Sequence, residues 1–502
     1  MKNKLIYLLF TAVILFSNCS LDRNAIDSID ENGFYKNDKE VNLATLFCYS
    51  GLYQTMTSEW YLTELRSDNS RHYARNSTAT TSKNIYAMDR YIVETSHPIN
   101  QEYWDAAFAN IKNCNTVLAR IGTMTDEGLK NQYTGEVYFI RSLHYFNLVR
   151  LYGPMFIVDK LLNDHETKYM DRSSIEETYK FIENDLKEAV KLLPLQHKGN
   201  YVGRADRVAA KALLAKVYLT QKKYDEAKIL LNEIINVDKT HDLVAGYENV
   251  FSTQNELNKE IIFTVRYKKG GLGTGSPFAT SFAPANSADA VINGSGDGNN
   301  CPTNDLILAF ASNPTDTRRD VTLAENWKNI QGVTVYTAYV KKFLSEIEIR
   351  YDAENDWPIL RYADVLLMMA EVENELSGVA NALPYLNRVR VRAELDELTT
   401  ADLKNKLDAR FAIEKERRLE FALENHRFFD LLRTDRLQDV MKTHFETEQI
   451  PNINTGVLGS CYKNPDLPTH MVSTTLEDWQ LLLPIPFSVM NVMPNATQNV
   501  GY

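Results

Sequence analysis

Asp206-Arg-Val-Ala-Ala-Lys-Ala-Leu-Leu-Ala215-Lys-Val-Tyr218-Leu-Thr-Gln-Lys-Lys-Tyr224-Asp-Glu-Ala227-Lys-Ile-Leu-Leu231-Asn-Glu-Ile-Ile-Asn236 is the stretch whose reading decides the fold. Ala215-x-x-Tyr218 is followed nine residues later by Ala227-x-x-x-Leu231, with Tyr224 opening the second half. Apolar residues at three- and four-residue steps give two amphipathic helices. Alanine at the facing positions lets two helix backbones approach closely, because it presents only a methyl group. Residues 360–393 have the same rhythm. Ala363, Leu366, Leu367 and Ala370 share a face, Gly378 stands at a turn, and Ala382-x-x-x-Leu386 follows.

This spacing is similar to that of a tetratricopeptide unit. Two copies far apart predict a mainly α scaffold of tetratricopeptide-type helical repeats, interrupted by a long loop-rich excursion with minor β structure. The excursion runs from about residue 240 to 355. Gly270, Gly271, Gly273, Gly275, Gly294, Gly296 and Gly298 crowd its centre, and that density argues against any helix or strand there. Lying inside the folded region, it is expected to be a functional loop. Further helices are expected at Glu102–Ile121, at Tyr133–Tyr152 before Gly153-Pro154, and at Ser173–Leu193, the last opening on a Ser173/Glu176 capping box.

The amino terminus reads as a secretory leader. Met1-Lys2-Asn3-Lys4 is basic, Leu5–Phe16 is an apolar run of roughly a dozen residues, too short to span a bilayer, and Cys19 stands at the cleavage point. That places a signal peptide at 1–18, a lipidated tether at 19–35 and one domain at 36–502. Cys19 is the expected lipid acceptor. Each buried methylene contributes about 0.8 kcal/mol and stable anchoring takes more than one chain, which a diacylated, N-acylated cysteine supplies. Ordinary cleavage further on is the alternative.

The 502 residues are 44% hydrophobic and carry a formal charge of −11. So acidic a chain without a basic cluster is not expected to bind nucleic acid. Cys48, Cys114, Cys301 and Cys461 form no CxxC and read mostly as buried thiols, although sequence cannot pair them. The nine histidines stand apart with no HExxH, so neither a metal nor a cofactor is expected. Ser67-Asp68-Asn69 has the composition of a β-lactamase element, but the one Ser-x-x-Lys, Ser460 to Lys463, lies downstream of it, in the wrong order.

In the charged carboxy-terminal stretch, Glu420, Glu424, Arg427, Asp430 and Arg433 step by three or four. On a helix they would pair along one face, with Phe421, Phe428 and Phe429 burying it. Arginine keeps a neighbouring carboxylate ionised, so these pairs read as structure and not as acid–base machinery.

Six motifs in order give the chain a resemblance to the SusD/RagB family of lipid-anchored nutrient-binding proteins. They are Trp104-x-x-Ala-Phe-x-x-Ile111-x-x-x-Asn115; Arg141-Ser-Leu-His-Tyr-Phe146 through Gly153-Pro154; Pro302-Thr-x-Asp305-Leu with Asp316-x-Arg318-Arg319; Pro358-Ile-Leu-Arg361-Tyr-Ala-Asp364 through Arg392-Ala393; Glu416 through Arg433; and Leu483-Pro-Ile-Pro486 with Gln498-Asn-Val-Gly-Tyr502. In the last, Val500 stands where the family has proline. The resemblance implies an outer-membrane protein that captures an oligosaccharide and delivers it to a SusC-like TonB-dependent transporter. Peptide capture, as in RagB-like members, is the alternative within the family. A surface-anchored glycoside hydrolase is the alternative outside it.

Sugar rings present C–H faces to aromatic side chains and hydroxyls to polar ones. Two stretches offer both. One holds Trp60, Tyr61, Asp68, Asn69, Arg71 and Tyr73; the other holds Phe278, Phe282, Trp327, Tyr336 and Tyr339. The expected ligand contacts are Trp60, Asp68, Asn69, Arg71, Tyr73, Trp327 and Tyr336.

Overall fold

The computed structural model describes residues 35–72, 80–449 and 475–502. The leader, Cys19, Tyr73, Ser460, Cys461 and Lys463 lie outside the described residues. Ten helices form the scaffold: α1 (Asp38–Leu62), α2 (Pro98–Arg120), α3 (Glu127–Tyr152), α4 (Ile175–Leu192), α5 (Arg207–Thr220), α6 (Tyr224–Asn232), α7 (Tyr362–Ser377), α8 (Val379–Arg392), α9 (Lys406–Glu420) and α10 (Arg427–Arg433). From α1 to α8, each packs against the next in the chain.

The repeat reading of the sequence holds. Asp206 caps α5 by accepting from the Ala209 N–H at 2.9 Å. Ala215 and Ala227 are both fully buried, and α5 lies against α6. The second copy, α7–α8, turns at Gly378, whose φ of +91° favours glycine. The two copies are neighbours in space, since α6 packs on α7. The 130 or so residues between them therefore leave and re-enter one continuous stack. Gly51 serves a close approach of another pair: a Cβ there would come within 2.1 Å of the Asn110 side chain on α2.

Local boundaries differ in one instructive place. The capping box at the start of α4 is Ser174 with Glu177, one residue later than the pattern suggested. Ser173 instead forms a backbone bridge with Met155 and is not free to cap.

Short strands fasten the excursion at its base. Ile261–Val265 pairs antiparallel with Trp357–Arg361, so the two ends of the excursion are clamped together, with Ile261 opposite Arg361 and Val265 opposite Trp357. Ser70–Arg71 pairs with Cys301–Pro302 and ties the early loop to the excursion. The glycine-rich centre is not the structureless segment expected: Phe278–Phe282 is a one-turn helix, and Phe278 and Phe282 are each 1% exposed. Phe278, Phe282, Phe343 and Trp357 pack ring to ring with centroids 4.3–6.3 Å apart, which seats the excursion on the main core. One continuous core reaches from Val41 to Met493. Cys48 and Cys114 are buried free thiols, and Cys301 is buried as well. No helix among the described residues is long and apolar enough to cross a membrane.

Candidate functional site

The charged carboxy-terminal motif forms one ion pair along a helix, Arg433 with Asp430 at 2.9 Å, and the rest of its ion pairs across several elements. α9 ends at Glu420, a turn carries Glu424, and α10 begins at Arg427. Arg361 donates to Glu260 at 2.7 Å, to Glu420 at 2.8 Å and to both oxygens of Glu424. Arg318 grips Asp316 in bidentate fashion and reaches Glu416 and Glu420; Arg392 adds Glu260 and Glu420. Lys342 meets Glu424 at 2.8 Å. All of these side chains are almost wholly buried. Burial alone would raise the Glu420 carboxyl, but Arg392, Arg361 and Arg318 hold it well below the usual carboxylate range. A carboxylate held this way does not give up or take a proton near neutrality. Its work is to lock the excursion onto the helical scaffold.

The early loop is absorbed into the same system, and this corrects the expected site. Asp68 accepts two hydrogen bonds from Arg427, at 2.8 and 2.9 Å, and pairs with Arg418 at 3.1 Å. Burial would raise its carboxyl, yet those two guanidiniums keep it well below the usual range. Asn69 accepts from Arg418 and donates to Glu64, each at close to 2.9 Å. Arg71 is buried in the short strand opposite Cys301. Trp60, 2% exposed, packs edge-on against Phe282 inside the core. These four residues therefore face the interior. Tyr73 lies outside the described residues. Trp327 and Tyr336 share one hairpin, with Trp327–Lys328 paired to Thr334–Val335. Trp327 is covered at 8% exposure, and Tyr336 stands out at 82%. Of the expected contacts that the structure describes, Tyr336 alone presents its ring to solvent.

A different cluster faces outward beside these buried groups. Asp297, in the glycine-rich loop, accepts from Arg350 at 2.6 Å and from the Tyr351 hydroxyl at 3.1 Å. Tyr61, at the end of α1, is half-buried; burial first, then the negative charges of Asp297 and Glu102, push its phenol up. Tyr351 holds a φ of +60°, uncommon for an aromatic residue and costing of order 1 kcal/mol or more unless its surroundings enforce it. The enforcing contacts are visible: its N–H donates to Thr280 at 3.0 Å, and the next residue, Asp352, accepts from the Gly270 and Gly271 N–H groups. The loop bearing Asp297 is equally fixed. Asp297 donates its N–H to Thr280, and Gly298 to Ala283. Gly296 lies so close to Ala283 that a Cβ would sit 2.1 Å from the carbonyl oxygen.

The same two loops continue into a surface cleft of about 420 Å³, walled by Val291, Ile292 and Asn293 on one side and Leu344 through Glu348 on the other. That size falls in the range of roughly 300–1,000 Å³ usual for small-molecule sites. A second cavity, enclosed between the helices and lined by Glu59, Asn147, Arg150, Lys216 and Asn425, measures only about 60 Å³. A water needs on the order of 10–15 Å³ of such space, so the inner cavity has room for a few waters and not for a sugar ring. No group of side chains among the described residues is arranged to hold a metal.

Comparison with known proteins bears on this architecture. Residues 23–219 match a family model described as starch-binding associating with outer membrane, and residues 311–502 match the SusD family model. The chain belongs to the SusD family. A relative, SusD-like protein P25 of Formosa agariphila, is 26% identical, with 93% of each chain covered. Among solved structures, a SusD-like protein from Bacteroides fragilis aligns over 96% of this chain and all of its own, at 25% identity and a TM-score of 0.76. A laminarin binding SusD-like protein aligns over 93% of this chain and all of its own, at 23% identity and a TM-score of 0.77.

Within this SusD-family fold, Asp297, Arg350 and Tyr351 are the residues that sequence reasoning missed. The signal for Asp297 is faint but present: it is the one charged residue inside Gly294-x-Gly296-Asp297-Gly298. Arg350 and Tyr351 carry no local pattern. They reach the site because the Ser276–Ala353 bridge folds their segment back onto the glycine loop.

Proposed function

We propose that this protein captures an oligosaccharide on its loop-rich face and passes it to a SusC-like TonB-dependent transporter in the outer membrane. The observation that carries this reading is the Tyr61–Asp297–Arg350–Tyr351 cluster opening beside a ligand-sized cleft. The half-exposed Tyr351 ring, with the accessible part of Tyr61, covers sugar C–H faces, the carboxylate accepts hydroxyl hydrogen bonds, and the guanidinium donates them. Family membership, the outer-membrane wording of the matched model and the laminarin-binding structural relative support it. The activity is binding without turnover.

A glycan array probed with the full mature chain, followed by analysis of any released products, tests the proposal. Retention without products is expected. Cleavage products would establish a hydrolase, and retention of peptides alone would establish the RagB-like alternative. Anchoring through Cys19 is part of the same proposal. Cys19→Ala should move the protein from the membrane fraction to the soluble one; a variant that stays with membranes after a high-salt wash would overturn the lipid anchor.

A further inference from the structure

We infer that the ligand of this face is an uncharged oligosaccharide and not a uronate-bearing or sulfated one, an inference that rests on the glycan-binding reading above. The argument is the sign of the charge around the cleft. Asp289 stands at its edge, and Glu346 and Glu348 are exposed along the opposite wall. None of the three carboxylates has an ion-pair partner among the described residues. The cations nearby are mostly committed: Arg350 to Asp297, at 2.6 Å, and Lys268 to Glu354. Lys269 is the one lysine lining the cleft.

An anionic sugar entering here would meet like charges across a partly desolvated gap, where screening is weaker than in open water. A neutral sugar pays no such penalty and finds hydroxyl partners. Asp297 retains acceptor capacity beyond Arg350 and Tyr351.

The test compares a neutral oligosaccharide with a same-length analogue oxidised at C6 to the carboxylate, titrated into the full mature protein at low and high salt. The neutral chain should bind at least about tenfold more tightly at low salt, and the gap should narrow as salt rises. A Glu346→Gln/Glu348→Gln variant should shrink the neutral-to-anionic affinity ratio, whatever happens to either affinity alone. Equal or tighter binding of the oxidised chain, or a ratio unmoved in the variant, overturns the inference and leaves glycan binding standing. Binding of neither chain, with no glycan retained on the array, overturns both.

Discussion

Two regions of this molecule are built from the same residue types, and we propose opposite roles for them. The interior network of Arg318, Arg361, Arg392, Glu260, Glu420 and Glu424, rimmed by Phe251 and Phe421, has the composition of a sugar-binding patch. So does the outer cluster of Tyr61, Asp297, Arg350 and Tyr351. In the first, the carboxylates are held in multiple ion pairs and the side chains are closed off from water. In the second, Arg350 is 49% exposed and Tyr351 47%, and among the described residues only those two side chains hold the Asp297 carboxylate. Composition does not separate a binding site from a structural lock. The number of partners already taken does.

Breaking the lock should give the largest effect. Glu420→Ala leaves Arg318, Arg361 and Arg392 short of a buried counter-charge, and removing one partner of a buried pair typically costs about 3–5 kcal/mol. Chemical denaturation should show that loss. A stability near wild type would mean the network adds little and the contrast is overdrawn.

Glu59 sharpens the comparison from another side, because it is buried at the inner cavity and, among the described residues, accepts from the Asn147 amide and from no cation. Burial pushes its carboxyl from 4.5 to about 7. The stability linked to its protonated form is fully present below pH 4.5 and is lost as pH rises through 7. Glu59→Gln should therefore gain on the wild type as pH rises from about 4.5 to 7, by on the order of 3 kcal/mol, with little further change above about pH 8. Parallel pH profiles of the melting temperature would refute this by showing no relative change.

The repeat stack offers a smaller perturbation. Ala227→Phe overpacks the buried contact between helices and should cost about 1–3 kcal/mol while leaving the outer cluster intact. An unchanged melting temperature would show that the helix pair has slack there.

The scaffold was legible because its signal is local. Alanine spacing in 206–236 and 360–393 reports helix pairing directly, and the structure stacks both copies. The family motifs were legible for the same reason, being short and in order. The site was not, because burial is a long-range property. Trp60 stands in a polar stretch, but Phe282, more than two hundred residues away, covers it. Asp68 and Asn69 looked free until Arg418 and Arg427 arrived from the other end of the chain. Tyr351 could not be foreseen, since its role depends on a bridge between Ser276 and Ala353.

The central claim is that the outer cluster binds sugar while the inner one holds the fold. Isothermal titration of a retained oligosaccharide into wild type and Tyr351→Ala, with thermal melts alongside, tests it most directly. Loss of an aromatic contact worth about 0.5–1.5 kcal/mol should weaken affinity about 2–10-fold with the melting temperature unchanged. Wild-type affinity in a variant that melts normally would contradict the account.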